Sequence, residues 1–179
     1  MYKPYGFLSQ FVNNQKKRKS KHLLGELNDF PEGIMAVGRL DEKSEGLLLL
    51  TTDGKFSSHI TGSKVEKEYH VMVDGIINKK ALNKLREGVK ITVKGESYNT
   101  LPCKVNVLSN TNHIIDRYVR DERHGPTSWI SITLKEGKYR QVRKMTAKVG
   151  FPTLRLVRVR IGNYELNGMN PGDVEEINY

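Results

Sequence analysis

The sequence is poor in residues that build cross-links. It has one cysteine, Cys103, in 179 residues, which excludes an internal disulfide and any multi-cysteine metal cage. That usage suits a reducing cytoplasm. Its five histidines, His22, His59, His70, His113 and His124, show no paired ligand spacing, so no metal site is expected. No apolar run approaches the roughly 18 residues of a spanning helix. Met1-Tyr2-Lys3-Pro4 is not the charged-then-apolar opening of a secretory leader. Neither the phosphate-cradling loop of nucleotide hydrolases nor the glycine fingerprint of dinucleotide binders occurs. Acidic residues are the remaining deficit: 20 Asp and Glu face 30 Lys and Arg, leaving a net charge of +10.

The hydrophobic share of 37% and charged share of 28% are those of an ordinary globular domain. The length suits one domain, large enough to bury roughly 70% of its unfolded surface without staples. The cation excess favours a polyanionic partner, above all nucleic acid, because each neutralised phosphate releases condensed counterions. An anionic membrane is a weaker fit, since no long amphipathic basic helix is visible. The cations fall in two clusters. Lys16, Lys17, Arg18, Lys19 and Lys21 form a run without an acid, read as an exposed loop. Lys135 to Arg160 carries Lys138, Arg140, Arg143, Lys144, Lys148, Arg155, Arg158 and Arg160 against Glu136, alternating with apolar residues on elements that look folded.

Periodicity and punctuation predict the elements. Strands are expected at Ile34 to Gly38, at Leu47 to Thr52 closed by an Asp53-Gly54 turn, and at Glu68 to Val73 with Tyr69, Val71 and Val73 on one face. Further strands are expected through Cys103, Val105 and Val107, through Ile130, Ile132 and Leu134, and from Thr153 to Ile161. Helices are expected at Asn78 to Glu87, capped by Asn78 and stopped by Gly88, and from Tyr139 to Val149. No repeat or long linker interrupts them. Mostly adjacent strands with few helices predict an α+β fold on a mainly antiparallel sheet.

Three places could carry chemistry. The charged loop Gly38 to Gly46 lies between two apolar strands, a rigid mount for a working side chain. In it Asp41 follows Arg39 by two positions, so alternation points both the same way. The pair reads equally as a surface ion pair of little energetic weight. Tyr69 reads as core packing or as a ring that stacks on a base. Arg140, Arg143 and Lys144 share nearby faces at a helix start. Cations there oppose the helix dipole, so they point to an anionic partner rather than to helix stability. Cys103 reads as inert core.

At these residues the sequence resembles the bacterial ribosomal RNA pseudouridine synthases. Gly38-Arg39-Leu40-Asp41 followed by Glu45-Gly46-Leu47-Leu48-Leu49-Leu50-Thr51 and Asp53-Gly54 is similar to their signature loop. Lys3-Pro4-Tyr5-Gly6, Lys67-Glu68-Tyr69, Glu136 to Met145 and Leu156 to Gly162 agree in order. Pro126 to Trp129 and Val149 to Leu156 are most similar to the E-type enzymes of large-subunit (23S) RNA. The resemblance implies a pseudouridine synthase fold: a mixed, mostly antiparallel sheet in two subdomains flanking a central RNA-binding cleft. It implies isomerisation of a uridine in RNA to its C-glycoside, with no metal or organic cofactor, by a cytoplasmic monomer acting on 23S RNA or its precursor. By motif position Asp41 would be the nucleophile, attacking C1′ of the ribose or C6 of the uracil. Tyr69 would stack on the target base, Arg143 would pair with the Asp41 carboxylate, and Leu156 would pack beneath Tyr69. Arg39 would fill the stack vacated by the flipped nucleotide. Arg140, Lys144 and the Lys16, Lys17, Arg18 run would hold RNA. Residues 1–179 are expected to be one catalytic domain, with no separate S4-type RNA-binding module ahead of it. A non-catalytic RNA-binding or ribosome-assembly factor on the same fold is the alternative. A hydrolase built on the acidic loop would leave the charge unexplained.

Overall fold

The computed structural model describes residues 1–12, 21–62 and 65–178; Lys16, Lys17 and Arg18 lie outside the described residues. The chain divides into two compact units, Met1–Val65 with Val157–Tyr179, and Glu66–Leu156. Mixed sheets with three α-helices among the described residues make the fold α+β.

The first unit opens with β1 (Tyr2–Lys3), β2 (Phe7–Leu8), β3 (His22–Leu23), β4 (Met35–Ala36), β5 (Glu45–Leu47), β6 (Leu50–Thr51) and α1 (Gly54–Thr61). The second unit carries β7 (Lys67–Asp74), α2 (Lys79–Glu87), β8 (Lys90–Val93), β9 (Glu96–Asn99), β10 (Lys104–Leu108), β11 (Thr127–Leu134) and α3 (Gln141–Lys148). β12 (Thr153–Ile161) starts in the second unit and ends in the first, where β13 (Tyr164–Glu165) follows.

In the first unit β5 is flanked on both sides. It runs antiparallel to β1, with Lys3 opposite Gly46, and parallel to β12, with Arg158 opposite the same Gly46. Gly46 has φ +101°, and a Cβ there would lie 2.3 Å from the Arg158 carbonyl oxygen. Only glycine permits that approach. Arg158, itself buried, donates from Nε to the Leu47 carbonyl at 2.8 Å.

The expected strand from Leu47 to Thr52 is split, because its leucines serve two apolar clusters. Leu47 and Leu49 pack with Val37, Ile60 and Ile161, while Leu48 packs with Met1 and Leu24. The Asp53-Gly54 pair is not a turn between strands. Asp53 Oδ1 accepts from the Lys55 amide at 2.7 Å and caps α1. An aspartate ahead of a glycine suits a turn or a cap equally, and the Phe56 to Ile60 spacing that marks the helix spans little more than one turn.

In the second unit the strand order is β12–β7–β11–β10. β7 and β11 pair antiparallel from Lys67 opposite Leu134 to Asp74 opposite Thr127. Val71, Val73, Val105, Ile130, Ile132 and Leu134 form the sheet side of one core, closed by Ala81, Leu82 and Leu85 of α2 and by Val142 and Met145 of α3. Each fully buried leucine or isoleucine contributes about 2 kcal/mol. Asn78 caps α2 by accepting from the Ala81 amide at 2.9 Å, a bond worth about 1 kcal/mol. Val107, on the sheet-end strand β10, is exposed although Val105 is buried. The apolar alternation therefore runs past the edge of the core.

Candidate active site

The loop bearing Asp41 is held by its backbone. Ser9 Oγ accepts from the Leu40 amide at 3.0 Å and donates to the Leu40 carbonyl at 2.9 Å, in buried surroundings. The Ser44 amide donates to the Asp41 carbonyl at 2.9 Å, closing a turn, and the Gly6 amide donates to the Glu42 carbonyl at 2.9 Å. Asp41 is half-buried and Arg39 exposed, with buried Leu40 between them. Tight backbone anchoring on both sides places a carboxylate with little conformational freedom left to lose on binding.

In the sequence Lys3 stands out only as part of the Lys3-Pro4-Tyr5-Gly6 motif. It is fully buried, opposite Gly46, and its Nζ donates to the carbonyls of Pro4 at 2.8 Å and Phe7 at 2.7 Å, with the Glu42 carbonyl at 3.5 Å. Burial pushes its pKa down to about 8; the carboxylates of Glu45, Asp41 and Glu42 hold it up, and Arg158 opposes them. Below pH 8 both folded and unfolded chains carry this proton, so the burial cost is present in full, about 3 kcal/mol for a shift of this size. Between pH 8 and the ordinary lysine value of 10.5 the folded chain releases the proton first, and stability rises with pH. Urea unfolding of wild type and Lys3→Met should therefore show the difference moving in favour of wild type as pH rises from 7 to 10. A difference flat across that window would refute the buried-cation assignment.

The second unit holds the other candidates. Tyr69 lies on β7 opposite Ile132 and packs against the core cluster that includes buried Leu156. Arg143 is half-buried in the first turn of α3, and Arg140 is that helix's N-cap residue with φ +53°. No acid occupies the first turn, so the cations meet the positive end of the helix dipole. Lys144 Nζ donates to the Thr92 carbonyl at 2.7 Å, fastening α3 to β8.

The turn before α3 is organised by Glu136. Its Oε1 accepts from the Leu101 amide at 2.9 Å and from Gln141 Nε2 at 2.5 Å, and its Oε2 accepts from the Tyr98 hydroxyl. Gln141 Oε1 in turn accepts from the Lys138 amide at 2.9 Å. Sequence spacing did not show this network, because its members come from β9, the Leu101 segment and the α3 entry. Nor did spacing pair His70 with His113, 43 positions apart, whose ring nitrogens meet at 2.9 Å. Burial and the neighbouring His113 lower the His70 pKa. No group of three or more His, Cys, Asp or Glu that could hold a metal lies among the described residues. Burial, with the Glu136 carboxylate, pushes the Cys103 thiol up to about 11, which leaves it unreactive near neutral pH.

Comparison with known proteins places the chain in a class. Residues 1–148 match the family model described as RNA pseudouridylate synthase, and the chain belongs to that family. It is 42% identical over 181 residues to the ribosomal large subunit pseudouridine synthase E of Vibrio parahaemolyticus, covering 98% of this chain and 71% of that protein. It is 41% identical over 173 residues to the protein of the same name from Xanthomonas axonopodis, covering 94% of this chain and 87% of that protein. A solved structure described as a pseudouridylate synthase superposes with a TM-score of 0.75 at 27% identity, over 97% of this chain and 66% of that one. The chain thus spans just under two thirds of that solved chain.

Proposed function

We propose that this chain isomerises one specific uridine of ribosomal RNA, in the large subunit, to pseudouridine, working in the cytoplasm as a monomer on 23S RNA or its precursor. The observation that carries the reading is the backbone-clamped Asp41 loop in a chain whose relatives are named for large-subunit pseudouridine synthesis. Residues 1–179 act as one catalytic domain. Asp41 is the nucleophile. The reaction breaks N1–C1′, turns the uracil and forms C5–C1′. The proton lost from C5 is balanced by one gained at N1, so composition is unchanged. A carboxylate either captures C1′, where positive charge develops, or adds to C6. The Arg143 guanidinium supplies the countercharge that keeps a carboxylate ionised on desolvation. Tyr69, backed by Leu156, stacks on the extruded base and returns roughly 1–3 kcal/mol of the flipping cost. Arg39 fills the vacated stack. Arg140, Lys144 and the run Lys16, Lys17 and Arg18 contact phosphates, which set register without reading sequence.

Mapping pseudouridine in total ribosomal RNA from cells with and without the gene tests this. One position in the large-subunit RNA should revert to uridine when the gene is removed and return with a plasmid copy. An unchanged map would overturn the proposal.

A further inference from the structure

The turn that enters α3 displays an aromatic ring for which the roles above have no use. Tyr139 is 63% exposed, and Lys144 Nζ lies over its ring at 5.1 Å from the centroid. One residue earlier, Lys138 Nζ lies over the Tyr98 ring at 4.7 Å. A single exposed tyrosine is ordinary. This one is different in how firmly it is presented. The Gln141 amide donates to the Lys138 carbonyl at 3.0 Å while Gln141 Oε1 takes the Lys138 amide at 2.9 Å, bracketing Tyr139 between two hydrogen bonds. Gln141 is buried and tied to Glu136, whose oxygens are occupied by the Leu101 amide, Gln141 and Tyr98. Arg140, next in the chain, is held in the left-handed region at φ +53°, a conformation that persists only where its surroundings enforce it.

A rigid turn that holds a ring in solvent spends little entropy when something docks on it. The chemistry around the ring selects the partner. Lys144 Nζ lies over the ring, Lys138 and Arg140 are its neighbours in the chain, and the nearby carboxylate of Glu136 is already engaged. An exposed ring beside an ammonium group, in a cation-rich turn, fits a base and its phosphates, as in single-strand binding grooves. We propose that Tyr139, with Lys138 and Lys144, forms a stacking platform for an unpaired nucleotide flanking the target in the substrate RNA. The platform rests on the reading that RNA is the substrate. It adds a site for a neighbouring nucleotide, separate from the ring assigned to the target base.

The test is fluorescence anisotropy with a labelled single-stranded oligouridylate of roughly 15 nucleotides, matched to the span of such grooves, at low and raised salt. Tyr139→Ala should weaken binding by roughly five- to a hundredfold, and Tyr139→Phe should preserve it, because the ring face does the work. Lys138→Ala should lower the log–log salt slope by about 1, the signature of one lost phosphate contact. Because Tyr139 is exposed, circular dichroism of the variants should match wild type. Unchanged affinity in Tyr139→Ala overturns the platform. So does equal displacement of the RNA by polyglutamate, which would assign the surface to an acidic protein. Pseudouridine formation by the wild-type chain is scored in parallel. If wild type modifies ribosomal RNA while Tyr139→Ala binds as wild type does, the platform fails and the catalytic reading stands. If wild type modifies nothing, the catalytic reading fails on its own assay.

Discussion

Asp41→Asn should bind RNA within about threefold of wild type and lose pseudouridine formation by roughly 10⁴-fold or more, the scale expected when a covalent nucleophile is removed. The substitution is nearly isosteric. The loop it sits in is held through backbone groups that the change does not touch: Ser9 on both polar atoms of Leu40, and the Ser44 amide on the carbonyl of residue 41. The variant should therefore fold with its loop in place. What it loses is the negative charge and the attacking oxygen, since a carboxamide neither stabilises positive charge at C1′ nor adds to the uracil ring. Anisotropy on the same oligouridylate and pseudouridine mapping after incubation with unmodified ribosomal RNA separate the two effects. Retained activity would remove Asp41 as nucleophile; a collapse of binding alone would make it a recognition residue.

Gly46→Ala should cost roughly 3–5 kcal/mol of folding stability. About 1–2 of that is the positive φ, and the remainder is overpacking against a backbone that cannot yield. The added methyl would lie 2.3 Å from the Arg158 carbonyl oxygen and 2.7 Å from the Arg158 nitrogen, and Gly46 is confined by β1 on its other side. Against a typical total of about 5–15 kcal/mol, such a loss brings the chain close to unfolding at physiological temperature. Gly6→Ala is the control. Gly6 has φ +88° but nothing within 4 Å of a Cβ, so only the conformational cost applies. Urea midpoints for the two variants should differ by the packing contribution. Equal midpoints would show that β5 and β12 do not approach as closely as described.

Much of this fold is legible locally. The α2 signature of Asn78, a three-residue apolar stripe and Gly88 gave the helix from Lys79 to Glu87, and the β-branched run from Thr153 gave β12 to the residue. α1 is not legible in the sequence, because Asp53-Gly54 is ambiguous between turn and cap. The leucine run looks like a single strand in the sequence, because apolar character on both faces hides where pairing stops. The Asp41 loop was recognisable from its motif and its place between apolar segments, but nothing in its composition announced that Ser9, 31 positions upstream in the chain, would clamp it.

Taken alone, the amino-acid order settled the properties that depend on near neighbours or on sums: the +10 charge that suits a polyanion and the type of most long elements; it also offered Asp41, Tyr69 and Arg143 as candidates. Tertiary structure alone decided that Lys3 would be buried against carbonyls, that Gly46 would lie between two backbones, and that Tyr139 would be held in solvent by a network anchored on Glu136. The division is physical. Turn, cap and strand preferences act over a few bonds and can be read in order along the chain. Burial and hydrogen-bond partnership depend on residues that meet only after the chain has closed loops tens of residues long.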